Sequence, residues 1–286
     1  VQTVNRLAPL REAVDELRAI GPLALVPTMG ALHEGHLELV RAAAGRARNV
    51  AVSIFVNPTQ FGPNEDLDAY PRRLAADQAL LEAEGVALLW APPVEEMYPH
   101  GFATTVSVAG VSEPLEGASR PGHFDGVATV VLKLFEQVRP DVALFGEKDW
   151  QQLAVIRRMA RDLDLVRPHV DAIVAVPTVR EGDGLAMSSR NAYLSPEDRA
   201  RAAALPREMR AAIQVIEEGG DVIATLEKLE VDLIDAGFAS IDYAKLADAA
   251  SLVTLHETQH AAMRLLVAAR IGGTRLIDNM AVEARR

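Results

Sequence analysis

Two histidines three residues apart stand in the run PTMGALHEGH, residues 27–36, where His33 and His36 frame Glu34 and Gly35. Imidazoles at that spacing project together from one helical turn. A helix beginning there adds unpaired N–H groups and a partial positive charge. The combination suits a triphosphate, with histidine N–H donors aimed at charge that builds up during attack on the α-phosphorus. Gly30 and Gly35 let a nucleotide approach the backbone closely. Two further clusters have the same character. Gly146-Glu147-Lys148-Asp149 offers a mobile point charge for phosphate, and Met187-Ser188-Ser189-Arg190 offers two hydroxyls and a guanidinium. Taken singly, the last two would be a solvated turn and a surface loop; as a set of three they point to a nucleotide.

These clusters follow a regular alternation of elements. A helical pattern (Leu7, Leu10, Val14, Leu17, Ile20) ends at Gly21-Pro22, and a buried strand over 23–26 precedes the histidine run. The spacing then predicts a helix over 35–46, a strand over 50–56, a helix over 74–84 and a strand over 86–90. A helix over 126–137, a strand over 142–145 and a helix over 150–163 complete the series. Short apolar strands separated by long helices imply parallel βαβ units, right-handed crossovers and an open sheet covered on both faces. Ligands in such sheets sit beyond the carboxyl ends of the strands, here just after Val26, Val56 and Phe145.

Past Pro177 the pattern changes to one long helix over 195–218, capped by Ser195 with Pro196 in its first turn and ended by Gly219-Gly220. A helix over 222–236 and strand-like pieces over 241–246 and 265–269 follow. The expected fold class is therefore α/β, a Rossmann-like doubly wound parallel sheet with a smaller C-terminal α+β domain. The expected domains are 1–174, binding nucleotide and substrate, and 175–286, a smaller lid.

Composition narrows the function. The chain has 286 residues, 49% of them hydrophobic, enough for a substantial core. Forty acids against 29 bases give a formal net charge of −11, which disfavours general nucleic-acid binding while allowing a local pocket for a small anion. The absence of cysteine excludes disulfides, thiolate metal sites and cysteine nucleophiles. No run approaches an apolar membrane span and the start lacks a signal-peptide profile, so a cytoplasmic location without membrane partners is expected.

Four ordered blocks, PTMGALHEGH (27–36), SIFVNPTQF (53–61), GEKDWQQ (146–152) and GLAMSSRN (184–191), resemble the pantothenate synthetase family of HIGH-motif nucleotidylyltransferases. The similarity runs from about Pro9 to Asn279, where Arg275-Leu276-Ile277-Asp278-Asn279 matches the family's closing strand; only residues 163–172 run longer than its pattern. The resemblance implies two half-reactions. Pantoate's carboxylate attacks the α-phosphate of Mg-ATP to give pantoyl adenylate, and β-alanine's amine then attacks the acyl carbon, releasing AMP and pantothenate. It further implies that Met29, Gly30, Ala31, Leu32, His33, Glu34, Gly35 and His36 bind ATP, with His36 as proton donor and His33 beside it. Lys148, Ser188, Ser189 and Arg190 would hold phosphates, with Met187 beside them, and Gly146, Glu147, Asp149 and Val179 would line the nucleotide site. Gln60 and Gln152 would orient pantoate, Gln60 also lying near β-alanine. Mg²⁺ is expected on phosphate and water oxygens with no protein ligand carried over, Asp77 being the acid to consider. A homodimer is expected from the family.

Other readings compete. His256-Glu257-Thr258-Gln259-His260 is a literal HExxH; on a helix it would be the signature of a zinc peptidase, and otherwise a solvated helix end. It has no evident third ligand and leaves the nucleotide motifs unexplained. A HIGH-type adenylyltransferase acting on a phosphorylated cofactor precursor would share the ATP site but not need the two glutamines. An inactive nucleotide-binding regulator would not need His33, His36, Lys148 and Arg190 intact. His123, in RPGHF, is expected to order a loop rather than catalyse; Trp90, Trp150 and the phenylalanines are expected in the core.

Overall fold

The computed structural model describes residues 1–62 and 67–283. The chain forms two compact units, one of residues 1–146 and 152–177, the other of 147–151 and 178–286.

The first unit contains strands β1 (Gln2–Val4), β2 (Leu23–Thr28), β3 (Asn49–Ile54), β4 (Leu88–Trp90), β5 (Val142–Gly146) and β6 (Ile173–Val176). Its helices are α1 (Leu7–Ile20), α2 (Glu34–Ala44), α3 (Leu74–Ala83) and α6 (His123–Val138), with the one-turn helices α4 (Val94–Met97) and α5 (Glu116–Ser119). Helix α7 (Trp150–Asp162) belongs to it from Gln152 onward. The strands are all parallel in the order β1-β4-β3-β2-β5-β6. Strand order reverses between β2 and β5, where Ala24 lies opposite Val142 and Leu25 opposite Ala143. That reversal opens a crevice at the carboxyl ends of these two strands.

Near-continuous apolar strands arise because both faces of a parallel sheet are covered. Ala24, Val26, Val50 and Val52 pack with Leu39 and Val40 of α2 and Leu81 of α3. Leu23 and Leu25 alternate to the other face, where α6 meets β2 and α1. Trp90 is fully buried, and its indole N–H donates to Gln137 Oε1 of α6 at 3.0 Å.

In the second unit β7 (Ser240–Asp248), β8 (Met263–Ile271) and β9 (Thr274–Val282) form an antiparallel sheet. Gly272 and Gly273, at φ 55° and 76°, supply the tight β8–β9 turn. Helices α8 (Pro196–Ala202), α9 (Ala204–Glu217) and α10 (Val222–Asp235) accompany the sheet, and Leu205, Met209 and Leu233 share a core with Leu246, Leu265 and Val267.

Four expectations need correction. The single helix over 195–218 is two helices meeting at Ala203, because Pro206 has no N–H for the Ala202 carbonyl and its ring crowds that group. Residues 256–260 are not helical: they lie in the β7–β8 connection, where Thr254 bridges Ala247 and Gln259 Nε2 donates to Asp248 Oδ2 at 2.8 Å. His256 and His260 are exposed there without the helical spacing that a zinc site needs. Trp150 is only half-buried, with the Arg264 guanidinium 3.6 Å from its ring centroid, and Phe102 is exposed, with Lys133 Nζ 4.8 Å from its ring. Finally, the sheet has six strands where the sequence marked four: β1 and β6, its two edge strands, were not anticipated.

Candidate active site

Strand β2 ends in a loop held from several sides. Thr28 Oγ1 donates to Ser53 O at 2.8 Å and accepts from Gly30 N at 3.2 Å. Gly30 and Ala31 follow at φ 85° and 51°. The left-handed conformation is disfavoured for alanine by about 1–2 kcal/mol, so something must hold it. Asp77 on α3 does: Oδ2 accepts from Ala31 N and Oδ1 from Leu32 N, both at 2.9 Å. A Cβ at Gly30 would lie 3.1 Å from both Asp77 Oδ2 and Ile54 Cγ2, leaving little room for another residue.

Asp77, the acid considered for Mg²⁺, is 3% exposed and gives each of its two oxygens to a backbone N–H of this loop. Asp77→Ala should strip two charge-assisted bonds from a strained loop and lower stability by about 3 kcal/mol. Thermal unfolding checks this; an unchanged Tm would mean the loop holds its shape unaided.

The histidines follow. His33 is the N-cap of α2 at φ −139°, outside the helix proper. Its Nδ1 accepts from Gly35 N at 3.2 Å, and His36 Nδ1 accepts from His33 N at 3.3 Å. This is a capping box built from two imidazoles, with ring centroids 4.1 Å apart. The spacing alone placed both rings on one helical turn; the cap is what brings them together. Because both Nδ1 atoms accept, each neutral ring carries its proton on Nε2. Two N–H donors thus stand side by side at the amino end of α2, whose dipole adds positive potential. That is an arrangement for phosphate at the sheet's switch point.

Beyond β3, Asn57 caps a short 3₁₀ turn, Pro58–Gln60. Asn57 is 1% exposed; its Nδ2 donates to Gln60 Oε1 at 2.8 Å and to Gly126 O at 3.1 Å. Its Oδ1 accepts from Tyr98 Oη at 2.8 Å and Thr59 Oγ1 at 2.9 Å. These bonds settle the Gln60 carboxamide: the oxygen meets Asn57, so Nε2 is the outward donor. Burial pushes the Tyr98 phenol up, keeping it a proton donor.

The Gln60 backbone is fixed as well. His123 Nδ1 lies 2.9 Å from Gln60 O, and Arg120 reaches the same oxygen at 3.3 Å and His123 Nε2 at 3.2 Å. A carbonyl only accepts and a guanidinium only donates, so the Nδ1–H tautomer of His123 satisfies both. His123 and Arg120 thus hold the same carbonyl of the turn together. Asn57, Asp77 and Tyr98 were missed as site-shaping residues; Asn57 directly before Pro58, a turn-capping pair, was the one local signal.

In the second unit Lys148 lies on a 3₁₀ turn, Glu147–Asp149, its Nζ 3.7 Å from Asp149 Oδ1. The 179–191 segment is braced at its base. Arg180 pairs with Asp278 at 2.7 and 2.9 Å and donates to Gly184 O at 3.0 Å. Met187 N donates to Val179 O at 3.0 Å, and Asn191 Nδ2 donates to Glu181 Oε1 at 2.8 Å. Arg199 bonds Glu181 and Asp183 at 2.6 Å each, and holds the Asp183 carboxyl below the usual carboxylate range. From this base Ser188 caps the turn Ser189–Tyr193, its Oγ accepting from Arg190 N at 3.3 Å.

Met29 to His36, Gln60, Gly146 and Gln152 thus belong to the first unit, with Gly146 ending β5 and Gln152 half-buried on α7. Glu147, Lys148, Asp149, Val179, Met187, Ser188, Ser189 and Arg190 belong to the second. Among the described residues no group of three His, Cys, Asp or Glu side chains is placed to hold a metal ion.

A six-stranded parallel sheet with helices on both faces and a histidine-capped helix at its switch point defines an α/β protein of the Rossmann-like class. The family model of pantoate-beta-alanine ligase matches residues 2–281. Over 283 residues the chain is 68% identical to the pantothenate synthetase of Novosphingobium aromaticivorans, covering 99% of each. It is 61% identical to that of Rhizorhabdus wittichii, again covering 99% of each. The crystal structure of pantothenate synthetase from Thermus thermophilus superposes with a TM-score of 0.92 at 50% identity, covering 99% of this chain and 100% of that one. Pantoate-beta-alanine ligase from Francisella tularensis, complexed with beta-gamma ATP and beta-alanine, superposes with a TM-score of 0.81 at 33% identity, covering 98% and 97%. The chain belongs to the pantoate–β-alanine ligase family.

Proposed function

We propose that this chain joins pantoate to β-alanine in two displacements driven by ATP, and that its motif residues divide the work as follows. A pantoate carboxylate oxygen attacks the α-phosphorus and the bond to pyrophosphate breaks. The β-alanine nitrogen then attacks the acyl carbon, the bond to AMP breaks, and the amine gives up a proton. The reaction is a carbon–nitrogen ligation, supported by family membership along nearly the whole chain.

The observation that carries the site assignment is the histidine capping box, in which both Nδ1 atoms accept backbone N–H groups and so leave each ring's proton on Nε2. His33 and His36 would neutralise charge on the phosphates as it shifts toward the leaving pyrophosphate. Gly30, Ala31 and Leu32, pinned by Asp77, keep the backbone open to the nucleotide. Gln60, its amide direction set by Asn57, would donate Nε2 to pantoate, and Gln152 would help orient it. Lys148, Ser188, Ser189 and Arg190 would bind the phosphates of ATP. With no covalent nucleophile needed, orientation and charge stabilisation supply the rate.

Among the described residues no acids are grouped to hold Mg²⁺, and the Asp77 oxygens accept from backbone N–H groups. Mg²⁺ would enter on the phosphates, keeping its waters. No helix among the described residues is long and apolar enough to cross a membrane, and the site of action proposed with this reaction is the cytoplasm. The active form would be a homodimer, giving twice the chain mass in sedimentation.

Incubation with ATP, Mg²⁺, pantoate and β-alanine tests the whole reading. AMP and pantothenate should appear together, only with both organic substrates present, and a magnesium chelator should stop them. Pyrophosphate release without an amide product would instead indicate an adenylyltransferase.

A further inference from the structure

The closing-strand motif Arg275–Asn279 has no part in the roles above, yet its last residue reaches the turn that carries Lys148. Asn279 is 4% exposed on β9. Its Nδ2 donates to two successive carbonyls, Glu147 O at 2.9 Å and Lys148 O at 2.8 Å. Its Oδ1 accepts from Arg264 Nε at 2.6 Å. The same guanidinium pairs with Glu147 Oε2 at 2.9 Å and stacks on Trp150, whose indole N–H donates to Ala249 O at 2.8 Å.

Two bonds from one amide to consecutive carbonyls fix both the position and the rotation of a peptide. They therefore set the direction in which the Lys148 side chain leaves the backbone. Arg264 fixes the amide in turn: its N–H only donates, so the Asn279 oxygen must face it and the nitrogen must face the turn. The adjacent Asp278 holds Arg180, at the base of the segment bearing Ser188, Ser189 and Arg190. Neighbouring residues of one strand thus fasten both cationic segments.

We infer that Asn279, oriented by Arg264, is a positioning residue for the reaction, acting through Lys148. The inference rests on the proposal that Lys148 binds the ATP phosphates. Asparagine is required chemically, because aspartate of the same shape would set a carboxylate against two carbonyl oxygens and keep only the bond to Arg264.

The test is a mutant cycle of Asn279→Asp and Asn279→Ala, each with and without Lys148→Ala. It is read as kcat, KM for ATP, KM for pantoate, and Tm. In the wild-type background each Asn279 variant should lower kcat by about 10–100-fold, since small misplacements of a charged group are costly, while KM for pantoate stays within about twofold. In the Lys148→Ala background the same changes should lower kcat by less than about threefold. An equal loss in both backgrounds would overturn the inference, as would wild-type kcat in the Asn279 variants. If Asn279→Asp does not fold, Asn279→Ala decides the matter by the same criteria. The assignment of Lys148 is judged separately: near-normal kcat in Lys148→Ala alone would sink that reading.

Discussion

Lys148→Ala and His36→Asn each lower turnover by about 10²–10³-fold with all three substrates saturating, the range found on removing one preorganised donor to a developing charge. The fold should survive both. Lys148 Nζ has only a loose 3.7 Å contact with Asp149, the kind of partly exposed pair that contributes little to stability. His36 needs more care, because its Nδ1 also caps α2 through His33 N. Alanine there would lose a capping bond worth about 1 kcal/mol along with the Nε2 donor. Asparagine offers an oxygen close to the Nδ1 position and nothing where Nε2 stood, so it separates capping from chemistry. The measurement is AMP formation by a coupled assay beside a melting curve. Wild-type turnover in both variants would remove the charge-stabilising role given to these side chains, and a collapse of Tm in His36→Asn would make that histidine chiefly structural.

Much of the fold's plan was legible because its signals are local. Apolar runs marked β2, β3 and β5, and polar clusters just past each run marked where a parallel sheet presents its carboxyl ends. The histidine pair was legible by type and spacing, but its geometry was not. The cap that brings the rings together depends on a loop held in place by Asp77, 45 and 46 residues away from the N–H groups it receives. An isolated aspartate in a helical stretch looks the same whether it faces water, a metal or a buried loop. The grip of Asn279 on Lys148 spans 131 residues and has no sequence period at all. Pro206 was the local signal of the break, since proline in a helix interior removes a hydrogen bond and crowds the preceding turn, yet the reading over 195–218 ran through it. The HExxH match failed for a related reason: a spacing has chemical meaning only on the element that gives it geometry, and residues 256–260 are not helical.

Gly126→Ala gives the other large effect, and ordinary helix propensity predicts its opposite. Gly126 lies in α6, where alanine is favoured over glycine by about 1 kcal/mol. A Cβ at this position, however, would meet Thr59 O at 2.5 Å, Thr59 C at 2.7 Å and Gln60 N at 2.9 Å. All three are backbone atoms of the turn that presents Gln60, so no side chain can swing aside. Either α6 retreats or the turn moves, and the turn is also tied to Gly126 O through Asn57. Overpacking of this kind costs about 1–3 kcal/mol, cancelling or exceeding the propensity gain. The greater consequence follows from the proposed role of Gln60: moving its Nε2 by about 1 Å from pantoate lowers kcat/KM for that substrate by about 10²-fold. Gly182→Ala is the control, since nothing lies within 4 Å of its added Cβ, and it should leave both kinetics and Tm near wild type. Should Gly126→Ala instead raise Tm and keep normal pantoate kinetics, α6 would not press on the turn, and the close approach of helix and turn would have no bearing on substrate binding.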